Sequence, residues 1–493
     1  MKKLAVACIT LSSVTLAAET NLGIERDPNQ TKVNTNSPIR RDTLENDLLR
    51  KQTLSEAKEI KKTDNITRYT GRELVNHPEI LEKLFLEALV NPNKVILPTY
   101  IKLYNNVPNA DKSLIEWARA ILQRDDDLNL SVKSYRALSA NFPHNNFIRY
   151  QLAETLFYNQ EYEAAKSQFE KLRASPGVTA QDIKVFDQYI ETIGNKENWN
   201  FSFGATFLND KNLSNVAKEG TTMAVGSGSF TTGKRETGKG ISSWFGANKQ
   251  WSLANGKYVI FDSNISNKYY WNNKNYNEVN GYLGFGVGYS DARLNISFVP
   301  SIQKRWYAGG ASASQSLKPY SETYGGALSL GYWLNQNFKY SSYYSFGYDK
   351  YDRKIYSAQY NGANHFLSNG LMYFPSATQY WSLSLDLSKK YAADKTNAYN
   401  RIGSRLTWGQ EWWGGITTSA TLGIAKRNYK QDSFFGKKQN NTEYSASVSL
   451  WHKKFHYAGF TPRITWNYTK TSSNIPIYSY DKSQMFFEVS RNF

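Results

Sequence analysis

From Trp199 to its last residue this chain repeats one pattern: short segments in which apolar residues fall at every second position. In "WNFSFGATF", Trp199, Phe201, Phe203, Ala205 and Phe207 share a face; in "VNGYLGFGVGY", Val279, Gly281, Leu283, Phe285, Val287 and Tyr289 do the same. "LNISF", "WSLSLDL", "ITTSATLGI", "YSASVSL" and "PRITWNY" continue it. Period two is the mark of a strand with one apolar face. The final segment, "SQMFFEVSRNF", places Met485, Phe487, Val489 and Phe493 on one parity and stops on an aromatic in mid-strand. Chain ends usually fray into polar residues, so this strand is expected to close something.

Counting the segments sharpens the expectation. Strands are placed near 199–208, 240–252, 257–270, 278–289, 292–306, 321–334, 337–350, 363–374, 379–391, 397–411, 416–430, 441–453, 455–469 and 483–493, fourteen in all. Short connections, such as Asn255-Gly256 (a dipeptide suited to a type I′ hairpin turn), "WGG" and "KKF", alternate with long ones such as 209–239. Segments of about ten residues with short turns on one side and long loops on the other describe an antiparallel outer-membrane barrel, its short turns periplasmic. An even count returns the last strand beside the first. The strand ending at Phe493 is expected to pair with the Trp199 strand and remove an edge that lipid could not hydrogen-bond. A soluble β-sandwich would not need apolar faces this uniform.

The residues ahead of the strands differ in kind. "MKKLAVACITLSSVTLAAET" has two lysines, an apolar run and Ala17-Ala18, the layout of a secretory signal over 1–18. The one cysteine, Cys8, falls inside it, so neither a disulfide framework nor a thiol nucleophile is expected, and five histidines argue against a metal cluster. Residues 19–77 are polar and read as a flexible lead-in with at most a weak helix near Leu44–Ile60. Over 78–194 apolar positions recur at a spacing of 34: Leu84, Ala118 and Leu152; Ile101, Tyr135 and Phe169; Tyr104, Leu138 and Leu172. That period with paired helices is the tetratricopeptide signature. The clearest copy gives Leu152, Ala153, Tyr162, Ala165 and Phe169 as the interlocking core, and Thr179 with Asp182 has capping-box spacing for a last helix. A solenoid leaves a concave groove suited to a protein segment. The fold class is therefore multidomain α and β: an N-terminal α-helical tetratricopeptide solenoid over 78–194, then a 14-stranded antiparallel transmembrane β-barrel over 199–493.

Charge divides at the same boundary. Residues 199–493 hold 33 Lys and Arg against 16 Asp and Glu, so nearly all of the +18 formal charge sits in this last part of the chain. Opposite the apolar parity lie Arg293, Arg305, Arg401, Arg405 and Arg463, with Asp386 among few acids. A basic lumen focuses field toward an acidic passenger; alternatively these side chains hydrate and brace the barrel from within. No catalysis is expected: His365 and Ser368, three residues apart in a strand, point to opposite faces, and nothing suggests a cofactor or a nucleic-acid partner.

The chain resembles a known family, the surface lipoprotein assembly modulators (Slam proteins) of Gram-negative bacteria. The resemblance is carried by "FSFGATFLNDKNLSN", by "VPSIQKRWYAGG" and above all by "GFTPRITWNYTKTSSNIPIYSYDKSQMFFEVSRNF", with its Gly-x-x-Pro-Arg step and "SSNIPIYSYDK". It implies an outer-membrane protein, its N-terminal domain periplasmic, that moves client proteins to the cell surface or medium: lipoproteins, or unlipidated haem- or transferrin-binding proteins. Implied partners are that client, periplasmic chaperones, the barrel-insertion machinery and outer-membrane lipid. The residues alone leave two rivals open, a polysaccharide exporter with tetratricopeptide repeats and a general diffusion porin.

Overall fold

The computed structural model describes residues 70–176, 178–225, 228–310, 316–452, 455 and 460–492. The expected leader, most of the lead-in with its weak helix, the "KK" of the "KKF" turn and Phe493 lie outside the described residues. Helix begins ahead of residue 78, at α1 (Gly71–Asn76), because Thr70 and Glu73 form a capping box that satisfies its first amides.

Seven more helices follow: α2 (Pro78–Val90), α3 (Leu97–Tyr104), α4 (Lys112–Asp126), α5 (Leu128–Asn141), α6 (Asn146–Tyr158), α7 (Tyr162–Arg173) and α8 (Ala180–Glu197). Asp111, Asp127 and Asn145 cap α4, α5 and α6 with side-chain oxygens, and Thr179 with Asp182 forms the expected capping box at α8. One apolar core runs through the stack. Leu152, Ala153, Ala165 and Phe169 are buried in it, and Tyr162 packs half-buried against it. Phe169 stacks on Tyr189 of α8 at 4.5 Å. Gln151 is the polar pin of this core: its Oε1 accepts from Trp117 Nε1 (2.5 Å) and Tyr135 Oη (3.1 Å), and its Nε2 donates to Leu89 O (2.8 Å). A buried amide satisfied on both ends ties α2, α4, α5 and α6 into one register.

The barrel starts directly after α8. Its strands are β1 (Asn200–Asp210), β4 (Gly238–Ser252), β5 (Lys257–Tyr270), β6 (Glu278–Ser290), β7 (Leu294–Tyr307), β8 (Lys318–Trp333), β9 (Phe338–Tyr351), β10 (Gly362–Ser376), β11 (Gln379–Lys390), β12 (Tyr399–Glu411), β13 (Ile416–Asp432), β14 (Lys438–His452), β15 (Thr461–Ser473) and β16 (Tyr480–Asn492). Neighbours in sequence pair antiparallel, and β1 pairs β16 to close the ring of fourteen. Two loop elements escaped the period-two reading: a hairpin of β2 (Thr222–Val225) and β3 (Gly228–Thr231), and helix α9 (Lys354–Tyr360). The strand expected from 455 starts later, at Thr461.

The turn at Asn255-Gly256 has φ of 59° and 71°, the doubly positive geometry for which this dipeptide was read. Phe207, Ile265, Leu283, Phe285, Leu383 and Leu422 face outward and are exposed, as are Met485 and Phe487, while inward neighbours such as Ser202, Asp386 and Lys482 are buried. Apolar outside and polar inside is the inverse of the solenoid, and it suits a wall bathed in lipid. No helix of the described residues is long and apolar enough to cross a membrane.

Candidate functional site

The inward faces of the strands carry acids that meet the arginines singled out in the sequence. Arg405 Nη2 donates to Asp386 Oδ1 at 2.8 Å, and Ser368 Oγ donates to the same oxygen at 2.7 Å. Arg401 Nε and Arg427 Nη2 hold the two oxygens of Glu443 at 2.8 and 2.9 Å. Arg305 pairs with Glu278, which Lys268 also approaches at 3.5 Å, and its guanidinium lies over the rings of Tyr307 and Tyr320. Lys390 pairs with Asp349, whose other oxygen accepts from Thr323 Oγ1 at 2.6 Å. Lys482 meets Asp210 at 2.8 Å.

Each pair joins different strands, and all but Arg405–Asp386 stand toward the end away from the solenoid. A cation matched at contact distance by an anion projects little field beyond the pair. These charges staple the wall.

Arg463 faces inward with its guanidinium 4.2 Å from the centre of the Trp451 ring. Arg293 is not in the lumen. Strand β7 begins one residue later, at Leu294, so Arg293 stands exposed in the turn between β6 and β7 and donates to the carbonyl of Asp126 at the end of α4. On β10, Ser368 points inward to Asp386 while His365 Nδ1 lies 2.8 Å from Tyr344 Oη, on the opposite face. Among the described residues no group of three or more His, Cys, Asp or Glu is placed to hold a metal ion. Met485 and Phe487 face outward, and Val489 is half-buried in the wall opposite Ala205.

The Arg293 contact belongs to a joint that sequence spacing did not reveal. The β6–β7 turn seats between two solenoid turns one 34-residue period apart, those after α4 and after α6. Asn129 Nδ2 donates to Asp291 Oδ2 (3.1 Å), Gln160 Nε2 donates to Asp291 O (2.6 Å), and Ser290 Oγ donates to Gln160 Oε1 (2.5 Å). The amide of Ala292 reaches Asn159 Oδ1 at 3.3 Å. Gln160 adopts a φ of 64° in that tight turn. A second contact joins Glu197 at the end of α8 to the amide of Ser252 on β4 (3.2 Å).

Asp291 is the centre of the joint. Burial opposes its charge, yet the amides of Leu294 and Arg293 (2.7 and 2.8 Å) and the side chains of Asn129 and Tyr289 outweigh that, holding its carboxyl below the ordinary range. The partners across this joint lie 130 to 167 residues apart in sequence, so no local pattern could have paired them.

At the far end the loops pack on one another. Tyr356 and Tyr360 of α9 join Tyr307, Tyr320 and Tyr351 in an aromatic cluster. Met223 of the β2–β3 hairpin packs with Phe435, Ile475, Ile477 and Tyr478. The lumen thus has a helical domain fixed at one mouth and folded loops at the other.

Residues 199–493 match the family model described as "Surface lipoprotein assembly modifier", and residues 67–169 match that of its N-terminal TPR repeats. The chain is 38% identical over 425 residues to surface lipoprotein assembly modifier 1 of Haemophilus influenzae, covering 86% of this chain and 87% of that one. It is 22% identical to the hemophilin secretion modulator of Acinetobacter baumannii, covering 85% of this chain and 86% of that one. Among solved structures, the CymD monoaromatic hydrocarbon channel overlaps 64% of this chain and 92% of its own, at 8% identity and a TM-score of 0.34.

Proposed function

Because this chain belongs to the surface lipoprotein assembly modifier family, we propose that its solenoid gathers an exported client in the periplasm and presents it to the barrel for passage to the surface. On this reading the client is a surface lipoprotein or a secreted haem- or metal-acquisition protein; the relatives are named for surface lipoprotein assembly in Haemophilus and hemophilin secretion in Acinetobacter. The role is one of handling and passage, without catalysis. Periplasmic chaperones deliver the client, and the barrel-insertion machinery places this protein in the outer membrane.

One observation carries the reading. The solenoid is not tethered by a free linker: the equivalent turns of successive repeats grip the β6–β7 turn around Asp291. A client held in the solenoid groove is therefore held at a fixed place beside the lumen, which is what handover needs.

The test is surface biotinylation of cells with the gene, without it, and with Asn129→Asp and Gln160→Glu together. Those changes set two further carboxylates against Asp291 without touching a barrel strand. The barrel should stay inserted while client exposure falls toward that of the deletion strain. An unchanged surface proteome in the deletion strain would sink the reading. Altered export of acidic polysaccharide there would favour the exporter, and lost anion conductance alone would favour the porin.

A further inference from the structure

The ring closes unevenly. Between β1 and β16 the ladder of the described residues runs from Ser202↔Asn492 to Thr206↔Glu488, five residue pairs. Every other seam of the barrel is paired over eleven to fourteen. On the side away from the solenoid, Phe207 to Asp210 of β1 have no register partner in β16.

Lipid offers no hydrogen bonds to an open strand edge, so a half-paired seam in this wall asks for a reason. Side chains replace the ladder there. Thr206 Oγ1 donates to the carbonyl of Phe487 at 3.0 Å. Asp210 and Lys482 pair at 2.8 Å, both buried. Leu208 and Phe486 share an apolar cluster with Leu213, Tyr270 and Tyr276. Arg235, in the loop after β3, lies 3.6 Å from Asp481 at the start of β16.

On the outside the seam shows Phe203, Phe207, Met485 and Phe487 to lipid. On the inside β1 carries Gly204, where a Cβ would fall 2.5 Å from the Trp244 ring, so the strand at the seam is thinned by glycine. Side-chain latches can release one at a time, whereas a full ladder parts only by breaking a run of backbone hydrogen bonds.

We propose that the β1–β16 seam is where the wall parts to admit the lipid-bearing end of a client, its polypeptide in the lumen and its acyl chains in the bilayer. This rests on the client-passage reading above and names the chemistry of what crosses. Acyl chains resist a polar, ion-paired lumen in proportion to their methylenes. A slot beside that lumen lets head and tails each keep a suitable environment. Among the described seams this is the one whose ladder covers less than half of β1.

The experiment locks the seam. Ala205 and Val489 are register partners across it, and facing Cα atoms in an antiparallel pair lie within disulfide range. Ala205→Cys with Val489→Cys is compared with Ala420→Cys and Val448→Cys, register partners across the fully paired β13–β14 seam. Cells are fed an alkyne analogue of palmitate, and the labelled proteins cleaved by external protease are followed over time, oxidised and after a phosphine reductant.

The expected result is a tenfold or greater fall in newly exposed labelled protein for the oxidised β1–β16 pair, recovery on reduction, and no fall for the control pair. Recovery on reduction also shows that the variant has folded. Delivery at full rate through the oxidised β1–β16 seam would overturn the proposal, as would an equal loss in both pairs. If the unmodified protein exposes no more labelled protein than the deletion strain, the client-passage reading fails and takes the seam with it.

Discussion

The solenoid and the barrel solve opposite problems with the same chemistry. In the solenoid the large apolar residues (Phe85, Tyr135, Leu152, Phe169) are buried together, and most charges lie toward water. In the barrel most large aliphatic residues, such as Leu283, Leu383 and Leu422, are outside, and buried charges such as Asp386, Arg405 and Lys482 are inside. One domain is held by what water expels, the other by a closed ladder in a solvent that cannot hydrogen-bond it. The difference predicts that the same kind of substitution has different consequences on the two sides of residue 199.

The largest effect should come from Phe169→Ala. The ring is fully buried and stacked on Tyr189, and its loss is worth about 3–5 kcal/mol. The solenoid's thermal transition should fall by many degrees, followed by circular dichroism of the reconstituted protein, while the barrel keeps its heat-modifiable migration. A barrel that fails to assemble in this variant would show that the two domains do not fold separately, and the contrast would collapse.

Leu422→Arg is the counterpart on the barrel. Leu422 is outward and exposed on β13, and a charge there at mid-depth costs about 2–4 kcal/mol. Insertion should drop steeply, read from outer-membrane levels, whereas the same exposure in the solenoid would be harmless. Normal levels would mean that this face does not meet lipid.

Asp386→Ala comes next. It removes the partner of Arg405 and the acceptor of Ser368. Breaking a dry buried pair costs about 3–5 kcal/mol; lumen water can rehydrate the stranded guanidinium, so a loss nearer about 2 kcal/mol is expected in urea unfolding from vesicles. Adding Arg405→Met should return part of it. If the single change instead leaves stability intact and alters passage, the pair serves the passenger and not the wall.

How legible each region was follows from the range of its interactions. The 34-residue core, the Thr179–Asp182 capping box, the Asn255-Gly256 turn and the count of fourteen strands rest on neighbours a few residues apart or on a repeated period, and sequence displays both. The hairpin at 222–231 and the helix at 354–360 are too short for either period to register. The ion pairs could not be read from composition. Arg401 and Glu443 sit two strands apart and meet only because β12, β13 and β14 take one particular register. A surplus of cations on one parity therefore suggested an open basic lumen, when the few acids stand beside them. Arg293 shows how narrow the margin is: a strand start misplaced by two positions turned a joint residue into a lumen residue.

The smallest effect, and the one that tests where the two regions meet, concerns Asp291. Its carboxyl is held below the ordinary aspartate range when the joint is formed, so the charged form favours docking. The stabilisation is fully present above the ordinary value of about 4 and is lost as pH falls through the lowered one. Dyes on Lys133→Cys in α5 and Lys257→Cys at the start of β5, both exposed, would report the distance between solenoid and barrel. It should hold from neutral pH down to about 4 and lengthen or broaden below that, with the barrel intact. Asp291→Asn keeps the shape but loses the charge that the Leu294 and Arg293 amides and the Asn129 side chain hold. It should loosen docking at neutral pH by about 1 kcal/mol and flatten the acid response. A wild-type distance that ignores pH while Asp291→Asn changes it would assign the joint to shape alone.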